Sequence, residues 1–190
     1  MADELERVLS AVTDLVATLT PTPADLPALA PPRLGGWSGL AGGAAADRLR
    51  SVAPWAAENI DRLLALEAQA LLVTPGSTLL HGDLYPFNMM LTADRVYFVD
   101  WPHAWVGASH IDLVTLLSST GLSGFDPQLL VERHPLTRDL DPLQIDVTLA
   151  LHAGFLLRVA CTVGPETDST MVDMMVALAT GSLRLLESRQ

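Results

Sequence analysis

The sequence contains no lysine, and all 11 of its basic residues are arginine. Against 22 aspartates and glutamates they leave a formal net charge of −11. This excess of negative charge disfavours binding to nucleic acid or to an anionic membrane surface, and it attracts small cations. We therefore expect no nucleic-acid partner and no membrane partner, and we expect a charged ligand to be cationic.

Cysteine and long apolar runs are also scarce. Cys161 is the single cysteine, which excludes an internal disulfide and favours a reducing, cytoplasmic location. No apolar run approaches the ~18 residues of a membrane span, and the acidic start lacks the positive charge of a targeting segment. These absences predict a soluble, cytoplasmic protein.

Length and composition predict a single domain over 1–190, because 49% of the 190 residues are hydrophobic, enough for one buried core. Apolar residues at helical spacing predict a first helix over 5–19 and a second over 55–73, where Glu67 interrupts the apolar stripe. Between them, the proline- and glycine-rich segment 21–43 is typical of an irregular connection with room for one short helical piece.

The remaining sequence alternates short apolar runs with longer helical patterns. Runs divided by turn residues predict strands at 78–80, 88–91 and 96–99. Helical spacing predicts four helices near 111–119, 126–134, 142–160 and 169–187. The fold class is therefore α+β and predominantly helical.

Polar residues concentrate in the loop between the first two predicted strands. His81, Asp83 and Asn88 lie there, beside some of the most apolar sequence in the chain. Loops held by rigid strands are where catalytic groups commonly lie, because the scaffold fixes the side chains that the loop presents. We expect these residues to form a functional site.

The two strands that follow predict a hairpin, and its register decides a second feature. With a three-residue loop, Asn88 lies opposite Asp100, and their oxygens lie close enough to bind one magnesium ion together. A two-residue loop shifts the register by one position and breaks this opposition. Asp83 lies five positions before Asn88, where it suits a base or aligning group for phosphoryl transfer.

These residues resemble a known family. His81-Gly82-Asp83 with Asn88, then Asp100-Trp101, then Asp112-Leu113 look like the aminoglycoside phosphotransferase and choline kinase group, which is related to protein kinases. The resemblance implies a protein kinase-like carboxy-terminal lobe with a small β-hairpin at the catalytic loop. It also implies ATP (or GTP) and Mg²⁺ as cofactors and a small-molecule hydroxyl as substrate.

The resemblance assigns roles residue by residue. Asp83 corresponds to the catalytic aspartate, and Asn88 and Asp100 correspond to the magnesium ligands. His81 and Asp112 correspond to residues that support the catalytic loop. No residue corresponds to the phosphate-binding lysine, so the nucleotide contacts of this chain stay unknown.

The chain departs from the family's pattern at its amino-terminal end. It starts with a helical pattern and has no lysine, so we expect the amino-terminal nucleotide lobe to be absent and this chain alone to be inactive. Two accounts stay open: the carboxy-terminal lobe of a longer phosphotransferase, or a naturally short, catalytically inactive binding module. In the second account the segment 21–43 or a dimer partner would cover the exposed apolar surface.

Other residues allow weaker hypotheses. His103 and His110 could join His81 in a zinc site, although their spacing matches no common ligand motif. Trp101 and Trp105 fall where a substrate cleft would open. Five late carboxylates form either an acidic pocket for an amino-sugar substrate or an ordinary solvated face: Asp139, Asp141, Glu166, Asp168 and Asp173.

Overall fold

The computed structural model describes residues 2–23, 32–164 and 166–189. Residues 24–31 of the predicted connection therefore lie outside the described residues. In the described part of the connection, Trp37–Leu40 form a 3₁₀ helix, which confirms the expected short helical piece. The described part is mostly helical with small antiparallel pairs of strands, as the α+β prediction requires.

In the described residues, the helices and strands follow one another in an order that places the strands in the middle of the chain. The helices are α1 (Ala2–Thr18), α2 (Gly43–Val52), α3 (Pro54–Glu58), α4 (Ile60–Glu67), α5 (Ala70–Val73), α6 (Ile111–Ser119), α7 (Pro127–Arg133), α8 (Pro142–Thr162) and α9 (Ser169–Ser188). The strands are β1 (Thr78–Leu80), β2 (Met89–Leu91), β3 (Val96–Phe98) and β4 (Trp105–Gly107).

The four predicted late helices are confirmed, with ends within two residues of those expected. Their starts have a local cause, because an aspartate at each of three N-caps accepts a hydrogen bond from the first turn. Asp126 caps α7, Asp141 caps α8 as part of a capping box with Gln144, and Asp168 caps α9. Two of the five late carboxylates thus have structural roles as caps.

The helix predicted over 55–73 is wrong as a single element, since the segment forms α3, α4 and α5. At the first break, Asn59 leaves helical geometry, and its side-chain amide nitrogen donates to the carbonyl oxygen of Trp55 at 2.8 Å. Sequence reasoning also missed α2, because its start at Gly42-Gly43 is typical of a loop.

The strands form two separate antiparallel pairs. β1 pairs with β4, aligning Leu80 with Trp105, and β2 pairs with β3. The three predicted strands are present, whereas β4 was not foreseen because it is only three residues long and follows a turn. The β1–β4 pair holds both ends of the polar segment, from residue 81 to residue 104, in one place.

The core is centred on α6 and α8. Every residue of α6 is buried, and among the described elements α8 has its most extensive packing with α9. Trp37 is fully buried against α8 and donates from its indole nitrogen to the carbonyl oxygen of Ala150 at 2.8 Å. The end of the predicted connection is therefore part of the core.

Helix α8 corrects one expectation about apolar runs. By length and composition it could cross a membrane, because it is 21 residues long and contains an apolar window of 18 residues. However, 72% of that window is buried inside the protein. An interior helix needs apolar residues on all sides for packing alone, so its composition is explained by its place in the core.

We expect Gly154→Ala to destabilise the fold. A Cβ at this position in α8 would lie 2.6 Å from the indole nitrogen of Trp37, and both residues are buried. The clash should cost about 1–3 kcal/mol and exceed the roughly 1 kcal/mol that alanine contributes to helix formation. Urea unfolding followed by circular dichroism measures the difference.

Gly42→Ala is the matched control, because a Cβ there meets no atom within 4 Å. It should change the free energy of unfolding by less than about 1 kcal/mol. A Gly154→Ala protein as stable as the wild type would contradict the packing of Trp37 on α8.

Candidate active site

The loop after β1 starts with a backbone turn that requires glycine. Gly82 has a positive φ of 75°, and a Cβ there would collide with the carbonyl oxygen of His103. The chain then passes Asp83 and Leu84 into a single 3₁₀ turn, Pro86–Asn88, before β2. The His-Gly-Asp spacing is thus explained by the turn that carries Asp83 away from β1.

The carboxylate of Asp112, at the start of α6, binds the backbone of this loop. Its Oδ2 accepts a hydrogen bond from the His81 amide at 2.6 Å, and its Oδ1 accepts one from the Gly82 amide at 3.1 Å. Burial raises the pKa of this carboxyl, while the two amide donors oppose the shift. The contact connects α6 to the loop directly.

His81 lies at the other end of the same turn. It is fully buried, and its Nε2 lies 2.9 Å from the carbonyl oxygen of Val99, so Nε2 carries a proton and donates, since a carbonyl only accepts. Its ring lies 4.6 Å from that of Trp101, centroid to centroid. His81 therefore joins the loop to the segment that follows β3.

Asp83 makes two side-chain contacts. Its Oδ2 accepts from the amide nitrogen of Asn88 at 3.1 Å, and its Oδ1 accepts from Arg33 Nη1 at 2.9 Å in an ion pair. Both charged side chains keep about a fifth of their surface exposed, 20% for Asp83 and 23% for Arg33. The pair therefore lies at the edge of the site, where solvent still reaches it.

Arg33 is the residue that sequence reasoning missed. It lies 50 positions before Asp83, in the proline- and glycine-rich connection, and no motif or spacing links the two. The one available signal was composition, because in a chain without lysine a permanently charged partner for a carboxylate must be arginine. That signal does not say which of the 11 arginines does so.

The position of Arg33 is fixed by the segment that follows it. Gly35 donates to the carbonyl oxygen of Leu151 at 2.7 Å, and the Glu67 carboxylate accepts from the amides of Gly36 and Trp37. Glu67, which interrupts the apolar stripe of its helix, thus binds this backbone instead of entering the core.

A small cavity lies beside the ion pair. It measures about 20 Å³, room for about one water molecule, and its walls include Arg33, Asp83, Tyr85, His152 and Phe155. The Arg33 guanidinium carbon lies 4.8 Å from the centre of the Phe155 ring, a cation–π contact. The guanidinium of Arg33 therefore lies between the Asp83 carboxylate and the Phe155 ring.

The predicted register of the hairpin is wrong. Met89 pairs with Phe98 and Leu91 with Val96, which aligns Asn88 with Val99 and not with Asp100. The physical reason is the turn: the Thr92 amide donates to the Arg95 carbonyl at 2.9 Å and closes a two-residue loop. The Thr92 hydroxyl strengthens this turn by donating to Asp94 at 2.8 Å.

Asn88 and Asp100 nevertheless each keep a side-chain oxygen that the described residues do not occupy. The amide nitrogen of Asn88 is bound to Asp83, and its amide oxygen accepts no hydrogen bond from the described residues. Asp100, at a positive φ of 66°, is exposed and its carboxylate makes no hydrogen bond or ion pair within the described part of the chain. Carboxylate and amide oxygens suit a hard cation, so these residues fit Mg²⁺.

The remaining candidate residues do not come together in one site. Within 2–23, 32–164 and 166–189, no three His, Cys, Asp or Glu side chains form a metal-binding group, which counts against a zinc site of His81, His103 and His110. Trp105 is buried in β4 next to Leu80, and Trp101 donates to the carbonyl oxygen of Phe98.

Comparison with known proteins identifies the family. The model of the phosphotransferase enzyme family (APH) matches residues 1–143, which is 143 of the 190 residues. The chain belongs to this family. The match includes the loop 81–88, Asp112 and Arg33. No solved structure matches the chain significantly.

Curated relatives of this phosphotransferase-family chain match over short segments. A LicA homolog of Mycoplasma capricolum subsp. capricolum is 39% identical over 66 residues, 35% of this chain and 28% of the relative. A LicA homolog of Metamycoplasma hominis is 42% identical over 43 residues, 23% of this chain and 17% of the relative. The LicA protein of Haemophilus influenzae is 33% identical over 54 residues, 28% of this chain and 20% of the relative. The chain thus spans less than a third of the length of each of these relatives.

We expect Asp112→Asn to destabilise the protein, although it removes a buried charge. The amide presents one acceptor and one donor to two backbone N–H donors, so one donor of the loop loses its partner, at a cost of about 1–3 kcal/mol. Asp173→Asn, an exposed position in α9, is the control and should stay within about 0.5 kcal/mol. Equal unfolding midpoints in urea for both variants would count against the Asp112 contact.

We also expect stability to fall in acid because of His110. Burial lowers the pKa of this histidine from 6.5 to about 4, so between these values the unfolded chain binds a proton and the folded protein does not. Stability is therefore lost as the pH falls from about 6.5 to about 4, by roughly 3 kcal/mol for this group. Unfolding in urea at a series of pH values measures the slope.

His110→Gln separates this effect from lost contacts. At pH 8 the imidazole is neutral in both states, so the variant reports only the lost contact with Thr148. Towards pH 4.5 the variant should lose less stability than the wild type. Parallel curves for the two proteins would refute the assignment.

Proposed function

We propose that this protein is the catalytic lobe of an ATP-dependent phosphotransferase that transfers phosphate to a hydroxyl group of a small cationic molecule. Asp83 aligns the hydroxyl and accepts its proton, and Asn88 and Asp100 hold Mg²⁺. Membership of the phosphotransferase enzyme family supports the reaction class. The fold assignment, a protein kinase-like carboxy-terminal lobe, belongs to the same proposal.

The observation that carries the proposal is the way the structure presents Asp83. The Asp112 carboxylate holds the backbone on one side of Asp83, and Asn88 holds its side chain on the other. A partly exposed carboxylate with a fixed orientation suits a group that aligns a hydroxyl. Phosphoryl transfer needs little else from a base, because its transition state is loose and the proton leaves late.

Magnesium would be held by the Asn88 amide oxygen and the Asp100 carboxylate. When bound, such an ion neutralises charge on the nucleotide phosphates. Asn88 and Asp100 would need side-chain oxygen atoms that accept no hydrogen bond from the protein. Asn88 meets this need through its two contacts with Asp83, which occupy its nitrogen and leave its oxygen available.

Two features favour a cationic acceptor. The chain carries a net charge of −11, which raises the local concentration of small cations. The space beside Asp83 already holds a guanidinium group between a carboxylate and the Phe155 ring. An alcohol bearing an ammonium group, such as an aminoglycoside or choline, would match the same chemistry.

A second candidate function is a kinase-like binding module without catalysis. The ion pair with Arg33 favours it, because the pair occupies one oxygen of Asp83, and the chain has no lysine for the nucleotide phosphates. In this case Asp83 and Arg33 stabilise the loop and no phosphate is transferred.

Asp83→Asn tests the proposal. The amide keeps the shape of the side chain but cannot accept a proton, so phosphate transfer should fall by about 10²- to 10⁴-fold. The measurement is transfer of labelled phosphate from ATP with Mg²⁺ to choline and to kanamycin, using the protein expressed from its complete gene. Circular dichroism confirms that the variant remains folded.

Asp14→Asn, an exposed position in α1, is the matched control and should retain wild-type transfer. Full activity of Asp83→Asn would refute the role of Asp83. No transfer by the wild type, together with no heat of ATP–Mg²⁺ binding in calorimetry, would favour the binding module.

A further inference from the structure

A network of buried polar side chains runs from the loop into the helical core. The Tyr85 hydroxyl contacts His152 Nε2, and His152 Nδ1 lies 2.7 Å from the Ser182 hydroxyl oxygen. Ser182 lies 2.9 Å from the Ser118 hydroxyl oxygen, which lies 2.8 Å from the carbonyl oxygen of Thr115. We name these contacts the Tyr85–Thr115 network; all of its members are buried.

The direction of the hydrogen bonds follows from the end of the network. A carbonyl only accepts, so the 2.8 Å contact uses the single proton of Ser118. Ser118 therefore accepts from Ser182, and Ser182 must accept from His152. His152 Nδ1 thus carries a proton.

The state of His152 decides the last contact. Burial, together with the nearby charge of Arg33, lowers the pKa of His152 to about 3, so the imidazole is neutral and has one proton. Since that proton is on Nδ1, Nε2 is an acceptor. The Tyr85 hydroxyl must then donate to it, and the network runs in one direction from the loop to α6.

Tyr85 lies at the centre of the loop. Its amide donates to the carbonyl oxygen of Asp83 at 3.1 Å, and its carbonyl accepts from the amide of Asn88 at 2.9 Å. A constraint on the Tyr85 ring therefore acts on the backbone of both residues. Through His152, the constraint comes from α8 and α9.

We propose that His152 and Ser182 are positioning residues for the loop, and that the Tyr85–Thr115 network holds Asp83 and Asn88 in place by fixing His152 as the Nδ1–H tautomer. Ser182, in α9, supplies the acceptor that selects this tautomer. Because it treats the loop as catalytic, the inference rests on the proposed function. Without the Ser182 oxygen, the imidazole proton has no acceptor on Nδ1 and the Nε2–H tautomer, which turns a donor towards Tyr85, becomes accessible.

Nuclear magnetic resonance tests the network independently of activity. In protein labelled with ¹⁵N-histidine, the long-range ¹H–¹⁵N spectrum of His152 should show a protonated Nδ1 and a bare Nε2, unchanged from pH 8 to pH 5. An Nε2–H tautomer or a charged imidazolium would overturn the proposal.

Ser182→Ala tests the positioning. It should shift the His152 ring signals and the backbone amide signals of residues 83–88, and it should lower the turnover number about tenfold or more with little change in the KM for ATP. Ser119→Ala is the control, since Ser119 is also a buried serine that donates to a helix carbonyl but lies outside the network. It should leave both sets of signals and the turnover unchanged.

Tyr85→Phe is the second variant, in case Ser182→Ala does not fold. It removes only the hydroxyl and should shift the same amide signals. Unchanged amides of residues 83–88 in a folded variant of either kind would refute the positioning role. If the wild type transfers no phosphate while the tautomer and the amide shifts are as expected, the proposed function fails and the positioning of the loop stands.

Discussion

The buried carboxylate of Asp112 is the constraint on which the site depends. It accepts two backbone hydrogen bonds from the turn at His81 and Gly82, and so fixes the direction in which the chain leaves β1. A charge without such donors would be costly at this depth, and donors without the charge would be left unpaired. Each partner is therefore stable only in the presence of the other. The positions of Asp83 and Asn88 follow from this turn, because only a short loop separates them from it.

Helix α8 has a comparable role for the rest of the molecule. The segment from Gly35 to Trp37 binds its backbone carbonyls, and its own side chains His152 and Phe155 reach the loop. Most of the side chains that such a buried helix presents are apolar. His152 is an exception, because its imidazole contacts Tyr85 in the loop and Ser182 in α9. The dense packing around α8 fixes the positions of these polar groups, because a buried and fully hydrogen-bonded group has a single low-energy arrangement.

The ion pair between Asp83 and Arg33 connects the two proposed functions. For a phosphotransferase, a guanidinium on the Phe155 face indicates the chemistry that the site accepts, and an acceptor cation would compete with it. For a binding module, the same pair neutralises the carboxylate permanently. The partial exposure of both side chains favours a pair that exchanges with solvent and ligand, since such pairs contribute little to stability.

The sequence by itself was enough to predict the polar loop and the late helices and to show the family resemblance. Motif spacing, helical periodicity and capping aspartates are local properties of the chain. The sequence could not decide the register of the hairpin, which depends on the hydrogen bonds of Thr92 in a two-residue turn. The roles of Glu67 and Arg33 also depended on tertiary structure, since each side chain meets partners at least 30 positions away. The same holds for His152: its residue type is visible in the sequence, but its tautomer is set by serines on two other helices, which only packing brings together.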